Sequence, residues 1–344
     1  MTDTTATETR ATPRRRLNLQ VLGPVMALIV LIILGASLNS NFLSYGNVTN
    51  VLARSAFIGI IAVGMTFVIT AGGIDLSVGS LAAFIAGVMI MAMNYMIPTL
   101  GIGMPLVLAG MVVALLTGLA AGLLNGFLIA KVQIEAFIVT LGAMGIYRSL
   151  VTWLADGGTL SLNYDARSFY RPVYYDGLFG VAWPIIVFAL VAILGELAMR
   201  KTPFGRHCAS LGANEQVARY SAVKVDRVRM ATYVLLGLLV GVATIMYVPR
   251  LGSASGSTGV LWELEAIAAV IIGGTVLKGG FGRVWGTVIG VLILSLIDNI
   301  LNLASIVSPY LNGAIQGVIG LLLAAWMVHA HLASAAHGGA TLLL

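Results

Sequence analysis

Residues 104–130, MPLVLAGMVVALLTGLAAGLLNGFLIA, run for 27 positions without a charged side chain. A helix needs about 17–25 apolar residues to cross a bilayer, and this stretch is long enough. Comparable runs lie at about 21–39, 50–71, 76–96, 135–155, 179–199, 230–249, 261–277, 284–304 and 309–329, so ten spans are expected in all. Only 9% of the chain is charged, against about 25% in an ordinary soluble domain, so a solvated surface is excluded. Unpaired backbone groups are too costly in lipid, and the expected class is therefore an all-α polytopic membrane protein.

The basic residues set the expected orientation. With the N-terminus in the cytoplasm, the inner segments carry Arg10, Arg14, Arg15, Arg16, Lys131, seven basic residues from Arg200 to Arg229, Lys278 and Arg283. These are 14 of the 19 Lys and Arg residues; Arg54, Arg148, Arg167, Arg171 and Arg250 fall toward the outer side. Ten spans return the C-terminus to the cytoplasm. Residues 1–19 are expected to be a disordered basic arm leading into a start-transfer anchor, 20–330 the transmembrane domain, and 331–344 a flexible tail. The net charge of +6 follows loop topology and gives no reason to expect nucleic acid.

Polar residues inside the apolar runs carry the remaining information. Residues 69–80 read ITAGGIDLSVGS, with Asp75 between two runs of membrane length. A carboxylate at bilayer depth costs about 2.5–3.5 kcal/mol on insertion scales. Gly72 and Gly73 let the chain leave helical geometry, and a broken helix persists only where its freed groups are buried in protein or line a cavity. Asp75 and Ser77 are expected to cap the next helix near the inner face; a deeper Asp75 touching a permeant is the alternative. Gly273 and Gly274 break a second inward run between Glu263 and Lys278. Re-entrant segments are thus expected near 70–76 and 272–282, and the two breaks suggest an internal repeat. Asp298, Asn299 and Asn302 face either a hydrophilic path or a neighbouring helix, as does Asn125.

Glycines recur every four residues at Gly118, Gly122 and Gly126, with shorter repeats at Gly237 and Gly241, Gly286 and Gly290, and Gly313 and Gly317. Small residues mark close helix contacts in lipid, and these stripes are expected to pack the bundle and a partner copy. In the long inner loop 200–229, Asn214 can cap a short helix in which Leu211, Val217 and Tyr220 offer apolar contacts. The loop is either a basic linker on the membrane or a knob for a cytoplasmic partner. There is no G-x-x-x-x-G-K-[ST] phosphate loop, no catalytic or metal-ligand constellation, and one cysteine, Cys208.

Three stretches, AGGIDLSVGS (71–80), SLGANEQVARYSAVKVDRV (210–228) and ELEAIAAVIIGGTVLKGGFGRVWGT (263–287), together resemble the permease subunits of ribose-type ATP-binding-cassette (ABC) importers over about residues 20–330. The resemblance implies the ABC importer permease fold in a bacterial inner membrane. It also implies a second permease copy, a separate ABC ATPase that binds the ATP, and a periplasmic sugar-binding protein. The cargo would be a monosaccharide: ribose or another pentose, a hexose or a galactofuranose-like sugar. Leu211, Gly212, Ala213, Asn214, Glu215, Val217, Ala218, Tyr220 and Ser221 would form the coupling element seated in the ATPase. Gly72, Gly73, Asp75, Ser77, Gly273 and Gly274 would form the gate. Asn125, Asp298, Asn299 and Asn302 would line the path, with Arg250, Glu263, Arg167, Arg171 and Asp176 receiving the binding protein. The family's Ser-Gly-Ile is Ser221-Ala222-Val223 here, which puts alanine where glycine turns cheaply, and its Glu-Leu-Asp is Glu263-Leu264-Glu265. A branched-chain amino-acid permease of related architecture and an ion-coupled secondary transporter are the competing readings.

Overall fold

The computed structural model describes residues 19–304 and positions 311, 314, 315, 317 and 318. The basic arm, most of the tenth expected span and the tail lie outside the described residues. The first helix, α1 (Leu19–Leu38), is apolar from Gly23. Seven helices among the described residues are long and apolar enough to cross a bilayer. These are α2 (Tyr45–Thr70), α3 (Val78–Leu100), α4 (Met104–Ala130), α5 (Ala136–Leu154), α8 (Trp183–Lys201), α11 (Val225–Leu251) and α13 (Val284–Ala304).

One expected span is corrected. Where 261–277 was expected to cross, α12 covers only Trp262–Ile272. Eleven residues at 1.5 Å each reach about 16 Å, half a bilayer. The helix stops at Gly273, and Gly274 turns the chain away in the left-handed region at φ +86°.

Short elements fold at the end of the bundle remote from the basic loops. They are β1 (Thr159–Ser161), α6 (Tyr164–Tyr170), α7 (Pro172–Tyr175), β2 (Gly177–Leu178), β3 (Val181–Ala182) and β4 (Ser253–Ser255). β1 pairs antiparallel with β4, and β2 with β3, so the chain is helical but not wholly so. At the basic end, α9 (Pro203–Ala213) and α10 (Glu215–Tyr220) link α8 to α11.

The core is centred on α2, which is buried from Phe57 to Thr70 apart from the partly covered Ile58. The α4 glycine stripe does not await a second copy, because α11 fills it. A Cβ on Gly118 would overlap the Gly237 carbonyl, and one on Gly237 would overlap that of Gly118. Gly122 and Gly126 admit the backbone of Tyr233 and Met230 in the same way. Gly286 and Gly290 receive Gly273 and Ala269, which seats α12 on α13. Glu196, a buried carboxylate on α8, accepts from the N–H groups of Val284 and Trp285 at 3.0 and 3.2 Å. It thereby meets the positive end of α13.

Candidate functional site

The two backbone breaks meet each other and the basic loop at one point. The Gly280 N–H donates to the Thr70 carbonyl at 2.9 Å, joining the end of α2 to the segment after α12. Gly72, Gly279 and Gly280 all have φ between +80° and +87°, a region that side chains enter only at a cost. Gly212, near the end of α9, lies on both breaks. A Cβ there would overlap the Thr70 carbonyl and stand 3.0 Å from the Gly279 Cα. Three chain segments thus touch through backbone alone.

Beyond this junction the chain is gripped at Ile74–Ser77. Asp75 is 4% exposed. Its Oδ1 accepts from the Ser77 N–H at 2.7 Å and the Ser77 hydroxyl at 2.6 Å. Asn125 on α4 donates to Asp75 Oδ2 at 3.4 Å and to Ser77 Oγ at 3.2 Å. Tyr233 on α11 donates its hydroxyl to the Ile74 carbonyl at 3.1 Å. Gly73 leaves room for that hydroxyl, since a Cβ would come within 2.7 Å of it. Asp75 thus closes a turn at the residue preceding α3 instead of reaching into the helix, and Ser77, expected to share the cap, occupies the cap position without a side-chain bond to the helix because its hydroxyl is turned to Asp75. Asn125, expected on the path or between helices, braces this turn.

The α9–α10 loop presents a knob. Asn214 caps α10 by accepting from the Val217 N–H at 3.1 Å. Leu211 and Ala218 are buried, whereas Val217 and Tyr220, one turn apart, are 58% and 89% exposed. Ala222 ends α10 at φ +59°, so alanine does take the left-handed turn that glycine would take more cheaply. Ala222→Gly is therefore expected to raise stability by about 1 kcal/mol, the left-handed penalty less the extra entropy of an unfolded glycine. The thermal midpoint in detergent would register it.

A cavity of about 360 Å³ opens between α2, α12 and α13. Its lining includes Asn50, Arg54, Trp262, Glu265, Ser295 and the predicted Asp298, Asn299 and Asn302. Phe57 and Trp262, both at its wall, stack with ring centroids 6.5 Å apart and planes at 15°. Asn299 also pairs with Asn47, each side-chain amide nitrogen donating to the other's carbonyl oxygen at 2.9 and 3.0 Å.

Of the residues expected to meet a binding protein, Arg167, Arg171 and Asp176 are exposed beside the small strands. Arg250 lines the cavity, its guanidinium 6.0 Å from the Tyr174 ring centre. Glu263 is corrected: it is 8% exposed, packed beside Gly79. The β1–β4 pairing carries the chain back inward before α12 begins, and Arg148 holds the Gly256 and Thr258 carbonyls of that return. A buried carboxylate cannot serve as a rim charge.

Sequence reading missed Thr70, Gly279 and Gly280 at the junction, Tyr233 at the Ile74–Ser77 turn, and Arg54, Trp262 and Glu265 in the cavity. The GG at 279–280 was a legible signal, since paired glycines in an apolar context mark a turn. Tyr233 carried none, being one aromatic in an apolar helix.

A family model described as branched-chain amino acid transport system, permease component, matches residues 47–325. The ribose import permease protein RbsC of Bacillus subtilis (strain 168) is 38% identical over 92% of this chain and 96% of its own length. RbsC of Escherichia coli (strain K12) is 36% identical over 87% of this chain and 90% of its own. The xylose transport system permease protein XylH of the same strain is 31% identical over 91% and 92%. The match along 47–325 and identities of this size over nearly the full length place the chain in that family of transport-system permeases.

Proposed function

We propose that this chain is the membrane-spanning permease subunit of an ATP-driven importer that moves a monosaccharide delivered by a separate binding protein. It is a transport subunit and not an enzyme. The similar permeases are named for ribose and xylose, and a five-carbon sugar is the cargo this favours. The family model's own description names amino acids, but the relatives at 31–38% identity are sugar permeases. The observation that carries the mechanism is the backbone contact of Gly212 with both breaks. Any force on the α9–α10 knob reaches the end of α2 and the Gly279–Gly280 turn after α12 without passing through flexible side chains.

In this reading the exposed Val217 and Tyr220 seat in a cytoplasmic ATPase. Closure of that partner displaces Gly212, and the two breaks shift which side the path faces. A ligand biases such an equilibrium only through its differential contacts. The path needs to hold sugar only weakly, because the binding protein has already selected it. The cavity suits this role. Arg54 is exposed there although it sits nine residues into an apolar helix. Charges at such a position face water or protein and not lipid. The mixture of amides, opposite charges and stacked aromatic rings offers a sugar hydrogen bonds and a flat face. A second permease copy would close the open side of the cavity. The protein resides in the inner membrane, with the basic loops in the cytoplasm.

The test replaces Leu211–Tyr220 with a flexible linker of equal length. The variant is expected to insert at parental level and to lose co-purification with the ATPase. Retained co-purification with normal uptake would remove the coupling assignment.

A further inference from the structure

The coupling helix and the hinge are both tied to one turn of α11. Arg229, the fifth residue of α11, donates to Glu215 Oε2 of α10 at 2.5 Å. Four residues later Tyr233 donates to the Ile74 carbonyl at the hinge. Residues four apart lie one above the other on a helix, so the two bonds leave α11 from the same face. We propose that Arg229 and Tyr233 are positioning residues that form a strut, carrying displacement of α10 to the hinge at Ile74–Ser77. The proposal rests on the coupling role assigned above.

Both ends of the strut are held. Glu215 also accepts from Arg219 at 2.8 Å, Arg219 reaches Asp226 at 3.4 Å, and Asp226 binds Lys131 at the end of α4 at 3.3 Å. Within this network Arg229 is the least exposed member, at 20% for its side chain against 32–50% for the others. Its bond is therefore the least screened by salt. Partial burial of the Glu215 carboxyl works against ionisation, but hydrogen bonds from Arg219 and Arg229 outweigh it and hold the group below its ordinary range. The charge that grips Arg229 thus persists at neutral pH. At the other end the Tyr233 ring is 1% exposed. Gly122 on α4 lies so close to the Tyr233 backbone that a Cβ there would overlap its carbonyl, so α4 packs directly against the turn. The same α4 carries Asn125, the second grip on the hinge. A rigid turn held at both ends transmits motion, whereas a loose one would absorb it.

The experiment uses the permease reconstituted in vesicles with its ATPase and binding protein, and reads sugar delivered per ATP hydrolysed. Arg229→Gln and Tyr233→Phe are each expected to lower that ratio at least about fivefold, the scale of an ordinary coupling energy. Arg229→Gln/Tyr233→Phe is expected to be no worse than the poorer single variant, because both cut one strut. The reversed pair Glu215→Arg/Arg229→Glu is expected to recover at least half of what Arg229→Glu alone loses. Multiplicative losses in the double variant, or unchanged ratios in both single variants, would overturn the strut. If the parental complex shows no ATP-dependent uptake, the coupling reading itself fails, and that result is distinct from either of these.

Discussion

Gly212→Val is expected to leave the protein in the membrane at parental level and to abolish sugar uptake. The new side chain would enter space held by the Thr70 carbonyl, the Gly280 nitrogen and the Gly279 Cα. All three are backbone atoms, so nothing can rotate aside. The loop must lift, or the Gly280 N–H must part from the Thr70 carbonyl. A buried backbone pair left unmade costs about 1–3 kcal/mol. A membrane bundle with its main helix contacts intact survives that loss, but the Gly212 contact proposed to transmit force does not. Gly142→Val is the matched control. Gly142 lies on α5, and among the described residues nothing would stand within 4 Å of a Cβ added there, so uptake is expected to stay near the parental rate. Radiolabelled sugar uptake at equal protein level measures both. Uptake above half the parental rate in Gly212→Val would show that the junction does not transmit.

The spans were legible because hydrophobic length is a one-dimensional property. The 104–130 run is reproduced residue for residue by α4, and the 284–304 run is helical throughout in α13, which starts at the expected Val284. The break at Gly273–Gly274 was legible in the glycine pair, and Gly274 does turn the chain there; the run at 261–277 misled only in length, because hydropathy counts the apolar residues on both sides of a break as one span. The Gly118–Gly122–Gly126 stripe was legible as a contact surface, but its partner was not. Nothing local to α4 distinguishes Gly237 of the same chain from a helix of another copy.

The site divides in the same way. Asn214 announced its cap by residue type and position, and Asp75 announced a break by its rarity among apolar neighbours. Glu263 misled because its place depends on β1 pairing with β4, residues about a hundred positions apart. Arg54 was visible as a charge near the outer side. Its membership in a cavity with Glu265 and Asp298 depends on how α2, α12 and α13 pack, which no single segment encodes.

Asp75→Ala is expected to lower the yield of folded protein more than substitution of the cavity's Asp298. The carboxylate satisfies the Ser77 N–H, the Ser77 hydroxyl and the Asn125 amide, and at 4% exposure it is shielded from bulk water. Each buried donor left without a partner costs about 1–3 kcal/mol, so the two Ser77 donors, with Asn125 keeping only its bond to Ser77 Oγ, lose a large share of the margin of about 5–15 kcal/mol that holds an ordinary domain folded. Asp75→Asn is expected to be milder. Its oxygen still accepts from Ser77, and its new amide nitrogen can donate to Asn125 Oδ1, which has no partner among the described residues. Asp298→Asn alters a half-buried cavity wall and keeps the backbone bond from Asn302, so stability should move by no more than about 0.5 kcal/mol. Its effect belongs instead in the sugar concentration needed for half-maximal uptake. Thermal midpoints in detergent should therefore fall in the order Asp75→Ala, Asp75→Asn, Asp298→Asn, largest loss first. An Asp75→Ala protein that melts with the parent would show that the acid does not hold the hinge together, and would return it to the permeant path as the remaining reason to bury a carboxylate there.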